Sequence, residues 1–156
     1  MSKAIIGGLV KQGYPADKIM ASNPSQPKLD DLKANLDIQI TNNNQDAVNF
    51  ADYVVLSVKP QLMQSVTKDL VLRDKNQVFV SIAAGLTIQR LADFLPEHAQ
   101  IVRVMPNTPS AIGLGMSGIY AAQNVSPEHI DKVETIMQSV GKTLVGLVKP
   151  RQYVVA

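Results

Sequence analysis

The stretch RVMPNTPSAIGLGMSGIY, residues 103–120, decides how the rest of the chain reads. An apolar run from Ile101 to Met105 leads into it and stops at Pro106. Pro106 and Pro109 bracket Asn107 and Thr108, so this backbone is held extended and no helix can continue through it. Gly113, Gly115 and Gly118 follow, and glycine permits tight turns and close approach of another group. A buried strand, a rigid polar elbow and flexible glycines together present one amide and one hydroxyl to a ligand. The same pattern also suits a proline-stiffened loop with no ligand, and the residues alone leave both readings open.

At 156 residues the chain fits one domain with an ample core. Apolar residues make up 46% and charged residues 18%, the balance of a compact soluble protein. A net charge of +2 gives no argument for nucleic acid or a membrane surface. Cysteine is absent, which excludes disulfides and thiol catalysis and is compatible with the cytosol. No apolar run reaches the roughly 20 residues of a membrane helix. His98 and His129 lie far apart with no ligand at metal spacing, so both read as solvated and no metal site is expected. Neither a G-x-S-x-G elbow nor a Walker loop occurs.

Around residues 103–120 the chain alternates strands and helices. Met1–Lys11 reads as a helix with Ile5, Ile6, Leu9 and Val10 on its apolar face and Gly13 as its stop. Gly7 and Gly8 weaken it by about 1 kcal/mol each, tolerable where a helix packs closely. Lys18–Ser22 is a short strand, Lys28–Leu36 a helix, Asp37–Thr41 a strand. One of Asn42, Asn43 and Asn44 caps a helix that runs through Ala51. Tyr53–Val58 is apolar throughout, as in a strand buried on both faces of a parallel sheet. A helix to about Leu70 follows Lys59-Pro60, then a buried strand at Val78–Ile82 and a short helix capped by Thr87. Gln100–Met105 and Met116–Ala122 are strands, Ser126-Pro127-Glu128 starts a helix to about Val140, and Thr143–Val148 is a last strand. Such alternation over short loops means an α/β sandwich around a mostly parallel sheet.

VMPNTP at 104–109, followed by G-x-G-x-x-G-x-Y over 113–120, resembles the signature of the pyrroline-5-carboxylate reductase family, the enzymes of the last step of proline synthesis. AIIGGLVKQGY at 4–14, SVKPQ at 57–61 and SIAAGLT at 81–87 resemble the same family. The resemblance implies a Rossmann-like parallel sheet with helices on both faces, over residues 1–144. Met1 and Ser2 match the last two positions of the family's G-x-G-x-x-[AS] loop, so the first strand and the glycine loop are expected to be missing. Residues 145–156, VGLVKPRQYVVA, form an atypical tail, where the family continues into a helical dimerisation domain. The strand missing from this topology would lie between Lys18–Ser22 and Tyr53–Val58. Self-association through that gap ranks ahead of closure by the tail, because Pro150 hinders a clean strand.

A dinucleotide lies across the carboxyl ends of such strands. Ser22 and Asn23 fall where an adenosine ribose is met, with Ser25 and Lys28 near and no acid, which favours NADP(H) while leaving NAD(H) possible. Asn44 matches the family's adenosine-contacting asparagine. Ser57, Val58, Lys59 and Pro60 follow the strongest strand, with Lys59 placed to put a charge near phosphate. Ala83, Ala84 and Gly85 are small enough for a flat ring to lie against backbone, although close helix–strand packing needs the same residues. Asn107 and Thr108 are expected at the carboxamide or the reacting face. The implied substrate is a cyclic imine, 1-pyrroline-5-carboxylate, whose C=N carbon takes a hydride; no residue reads as a general acid. The resemblance places such an enzyme in the cytoplasm and leaves low activity expected of this chain alone. The alternatives are a non-catalytic remnant and an NADP-binding or interaction module with an exposed sheet edge.

Overall fold

The computed structural model describes residues 1–146. The end of the expected last strand and the tail through Ala156 lie outside the described residues. The helices are α1 (Ser2–Lys11), α2 (Gln26–Leu36), α3 (Asn44–Phe50), α4 (Met63–Thr67), α5 (Ile88–Phe94) and α6 (Pro127–Gln138). The strands are β1 (Met20–Ser22), β2 (Gln39–Thr41), β3 (Tyr53–Leu56), β4 (Val78–Ser81), β5 (Gln100–Pro106), β6 (Gly115–Ala121) and β7 (Gly141–Gly146). They form a two-stranded sheet, β1-β2, and a five-stranded sheet in the order β3-β4-β5-β6-β7. Every pairing is parallel except β5–β6. Among the described helices none is long and apolar enough to cross a membrane.

The alternation of strand residues sorts the core into two layers. Val78 and Val80 point to one face with Ile5 of α1 and Val133 and Met137 of α6. Phe79 points to the other, against Val48 of α3, Met63 of α4 and Leu91 of α5. This is the expected α/β sandwich. All four residues of β4 are buried, as a run of apolar residues between two helical layers requires. In β3, by contrast, Tyr53, Val54 and Val55 are only half-buried and Leu56 alone is buried. The expectation of a strand covered on both faces fails there because β3 has a neighbour on one edge only, β4.

Helix starts follow their capping chemistry. Asn43 Oδ1 accepts the Gln45 N–H at 2.9 Å, Thr87 Oγ1 accepts that of Arg90 at 3.1 Å, and Ser126 Oγ accepts that of His129 at 3.3 Å. Asn43, rather than Asn44, is therefore the cap of α3. After α1 the chain turns at Gly13 with φ 90°, as expected of a helix stop. The helix expected after Pro60 is instead a tight turn over Pro60–Leu62 and the short α4. His129, expected to be solvated, is half-buried, and its Nδ1 lies 2.8 Å from the Tyr53 hydroxyl, tying α6 to the start of β3.

Of the two glycines in α1, Gly8 faces the carboxyl end of α6, and a Cβ there would collide with the Ser139 carbonyl; Gly7 faces open space. Gly8→Ala is expected to destabilise the fold by about 1–3 kcal/mol through overpacking. Gly7→Ala should instead stabilise it by about 0.5–1 kcal/mol through helix propensity. Urea or thermal unfolding of the two variants checks this; equal shifts would show that the α1–α6 crossing does not select the glycine.

Candidate functional site

α3 carries the chain from the end of β2 back to the start of β3, so β3 leaves in the same direction as β1 and β2. β4 and β5 run parallel to β3. The carboxyl ends of β1, β2, β3, β4 and β5 therefore open on one edge of the molecule, and the candidate residues all stand at or follow those ends. Ser22, Asn23, Asn44, Ser57 and Val58 come together around one cleft of about 950 Å³, with Ser2 at the start of α1. Lys59, Pro60, Ala83, Ala84, Gly85, Asn107 and Thr108 lie along the same edge of the sheet without lining that cleft.

Within the cleft, the Ser22 hydroxyl donates to Asn44 Oδ1 at 2.7 Å, which fixes the side-chain rotamers of both. Asn23 Oδ1 accepts the Ser25 N–H at 2.9 Å, and its own N–H goes to the Thr41 carbonyl at 3.2 Å. Among the described residues its side-chain NH2 makes no hydrogen bond. Lys59 is exposed and extended before the Pro60 turn, and among the described residues it has no ion-pair partner. Ala83 is 5% exposed and packs into the core, so close packing explains its size. Ala84 and Gly85 are exposed, and Gly85 takes a turn with φ 78°. At the end of β5, Asn107 Oδ1 accepts the Met116 N–H at 2.9 Å. That bond pins the elbow and turns the amide NH2 outward beside the exposed Thr108.

A second hollow of about 490 Å³ shares Ser2 and Asn23 with the cleft and is lined by Lys3, Lys28 and Asp31. Lys3 Nζ meets Asp31 Oδ2 at 2.6 Å, and this hydrogen bond, with the lysine's charge, holds the Asp31 carboxyl below the usual range. Lys28 is exposed and, among the described residues, unpaired. Sequence reasoning missed Lys3 and Asp31, because the residues of α1 and α2 that face this hollow are set by how the two helices meet. It also missed the Ser110 hydroxyl, wholly buried beneath the elbow and, among the described residues, without a hydrogen-bond partner. Tyr53, on the wall of the cleft, has its phenol pushed up by burial and then by the charges of Glu128 and Asp52.

Residues 1–85, from α1 through the turn after β4, match the family model described as NADP oxidoreductase, coenzyme F420-dependent. The chain belongs to that NADP oxidoreductase family. Within it, the chain is similar to the pyrroline-5-carboxylate reductase of Vibrio alginolyticus, 46% identical over 143 residues that cover 91% of this chain and 53% of the relative. The enzyme of the same name from Haemophilus influenzae is 41% identical over 145 residues, 92% of this chain and 53% of the relative. The solved pyrroline-5-carboxylate reductase of Coxiella burnetii superposes with a TM-score of 0.88 at 33% identity, over 93% of this chain and 54% of that one. The resemblance read from VMPNTP, SVKPQ and SIAAGLT and the Rossmann-like fold it implied are thus borne out. The chain spans about half the length of the curated relatives it matches.

The Asn107–Met116 bond makes a local prediction for this NADP oxidoreductase edge. Asn107→Ala should cost about 1 kcal/mol and speed hydrogen exchange at the Met116 amide, whereas Asn107→Asp, which keeps an acceptor, should leave that amide protected. Exchange followed by NMR reads both; equal loss of protection in the two variants would detach the elbow's order from this acceptor.

Proposed function

We propose that the chain is the NADP(H)-binding part of a pyrroline-5-carboxylate reductase, which reduces 1-pyrroline-5-carboxylate to L-proline in the cytoplasm. What carries this reading is the likeness to the reductase of Vibrio alginolyticus, 46% identical over nearly the whole of this chain. The site's chemistry agrees with the cofactor. At the carboxyl end of β1 the cleft presents Ser2, Ser22, Asn23 and Asn44, all neutral hydrogen-bonding groups. Its acids, Asp17 and Asp52, stand at the opposite end, before β1 and β3. No carboxylate of the cleft therefore stands at the ribose end; in the adjoining hollow the Asp31 carboxylate is paired with Lys3, and Lys28 offers a further positive charge. This favours NADPH over NADH.

When bound, reduced nicotinamide supplies a hydride for the C=N carbon of the imine. The chain's own residues bind and position. Ser22, held by Asn44, and Asn23 would take the adenosine ribose, while Lys59 would lie by phosphate. Ala84 and Gly85 leave backbone open to a flat ring, and the outward amide of Asn107, with Thr108, would orient the reacting face. A protonated imine accepts hydride without a strong acid held against it, so no general acid is required of these residues.

Calorimetric titration at fixed ionic strength tests the cofactor reading. NADPH is expected to bind at least about tenfold tighter than NADH, a difference of about 1.4 kcal/mol. Ser22→Asp, which brings a carboxylate to the ribose end, should erase that preference. Equal or tighter binding of NADH by the unsubstituted chain would overturn the 2′-phosphate argument. Proline formed from 1-pyrroline-5-carboxylate and NADPH by the whole protein checks the reaction, and turnover confined to a different imine would replace the substrate.

A further inference from the structure

We infer that Asp31 governs how strongly the chain holds the cofactor's 2′-phosphate, by keeping Lys3 engaged until the phosphate takes that lysine over. The inference rests on the NADP(H) reading of the cleft and adds the residues of α1 and α2 that set the preference. The hollow beside the ribose end joins the cleft through Ser2 and Asn23, which line both. Its ionisable side chains are Lys3, Lys28 and Asp31, two cations against one anion. Lys3 comes from the first turn of α1, and Lys28 and Asp31 come from α2. Residues three apart are neighbours on a helix surface. Asp31 therefore has Lys28 beside it along α2 and Lys3 facing it from α1.

Both oxygens of the carboxylate are engaged. Oδ2 takes the Lys3 ammonium at 2.6 Å, and Oδ1 takes the Asn35 side-chain N–H at 2.7 Å. An ammonium has three N–H donors, and among the described residues Lys3 uses one, on Asp31. The pair is open to water, with the Lys3 side chain 66% and that of Asp31 49% exposed. An ion pair in that setting contributes little and exchanges readily. A phosphate monoester brings roughly −1.5 to −2 charges near pH 7 and three acceptor oxygens, against the single charge of a carboxylate. In the hollow it outcompetes Asp31 for Lys3, while Lys28 and the side-chain NH2 of Asn23 meet its other oxygens. Once Lys3 has left, the Asp31 carboxylate is an uncompensated charge beside the phosphate and repels it. Binding a 2′-phosphate thus requires release of the Lys3–Asp31 pair, and a ligand without that phosphate leaves the pair untouched. Asp31 is a brake that acts on one class of ligand, which a plain staple between α1 and α2 is not.

The test titrates the full chain with adenosine 2′,5′-bisphosphate and with 5′-AMP, which differs only in lacking the 2′-phosphate. NMR at the amides lining the hollow reads dissociation constants into the millimolar range. Asp31→Asn, which keeps an acceptor for Asn35, is expected to bind the bisphosphate about three- to tenfold tighter. Lys3→Met removes the cation and leaves Asp31 unpaired, and should weaken the bisphosphate about tenfold or more. The double variant should lie between Lys3→Met and the unsubstituted chain, weaker than the latter by about threefold. In every variant 5′-AMP should change by less than about twofold, and the gain from Asp31→Asn should shrink with added salt. Thermal unfolding checks that the variants fold, as loss of an exposed pair allows. Unchanged bisphosphate binding in Asp31→Asn, or an equal shift for 5′-AMP, overturns the proposal, since a structural staple alone behaves that way. So does a double variant that matches the unsubstituted chain, because Lys3 then only neutralises Asp31 and never reaches the phosphate. If the unsubstituted chain shows no preference for the bisphosphate over 5′-AMP, the NADP(H) reading itself falls, and this inference with it.

Discussion

Every strand of a sheet has two edges, and an edge closed off from water must find hydrogen-bond partners. That constraint organises this molecule. β4 and β5 satisfy it on both sides, and the burial of Val78, Phe79, Val80 and Val102 follows. β1 and β3 satisfy it on one side each, and the residues of both strands stay half-buried apart from Leu56. An unpaired buried amide or carbonyl costs about 1–3 kcal/mol, against a total stability of about 5–15 kcal/mol. The cleft that separates the two sheets leaves these edge groups within reach of water, at the expense of apolar burial along α1 and α3.

Much of this was legible in the sequence where one local signal sufficed. The run Val78–Ser81 reads as a buried strand because its apolar residues serve two helical layers at once. Ser126-Pro127-Glu128 marks the start of α6 because cap, fixed φ and acid agree. Asn107 reads as an elbow residue because two prolines stiffen its surroundings, and its side chain does order the loop. Tyr53–Val55 was misread because periodicity reports which faces are apolar and is silent on how many neighbours a strand has. The His129–Tyr53 bond joins residues 76 apart, and no short-range pattern encodes it. In the run Asn42–Asn44 the residue types are identical, so which one caps α3 is decided by the backbone, with Asn43 extended and Asn44 already helical.

The candidate site divides along the same line. Residues at the ends of β1 and β3 meet because parallel strands bring their carboxyl ends to one edge, which topology alone dictates. Their finer roles come from contacts between elements. Asn44 is held by Ser22 from the neighbouring strand, and Lys3 is engaged by Asp31 of α2, which leaves Lys28 as the less constrained charge. Ala83 shows the opposite case: a residue chosen for small size turned out to be small for the core.

The crossing of α1 over the end of α6 has a consequence for the order of assembly. The Ser139 hydroxyl reaches the Ile5 carbonyl at 3.5 Å across 134 residues of chain, beside the close approach at Gly8. Closing so long a loop forfeits more chain entropy than any neighbouring β-α-β closure, and it yields nothing until α6 is already seated on the sheet. Among the described helices, α1 is thus one of the last to find its place. In the folded protein it is held both by α2, through Lys3 and Asp31, and by α6, through Gly8 and Ser139, so its detachment is a local opening that leaves the β3–β7 ladders intact.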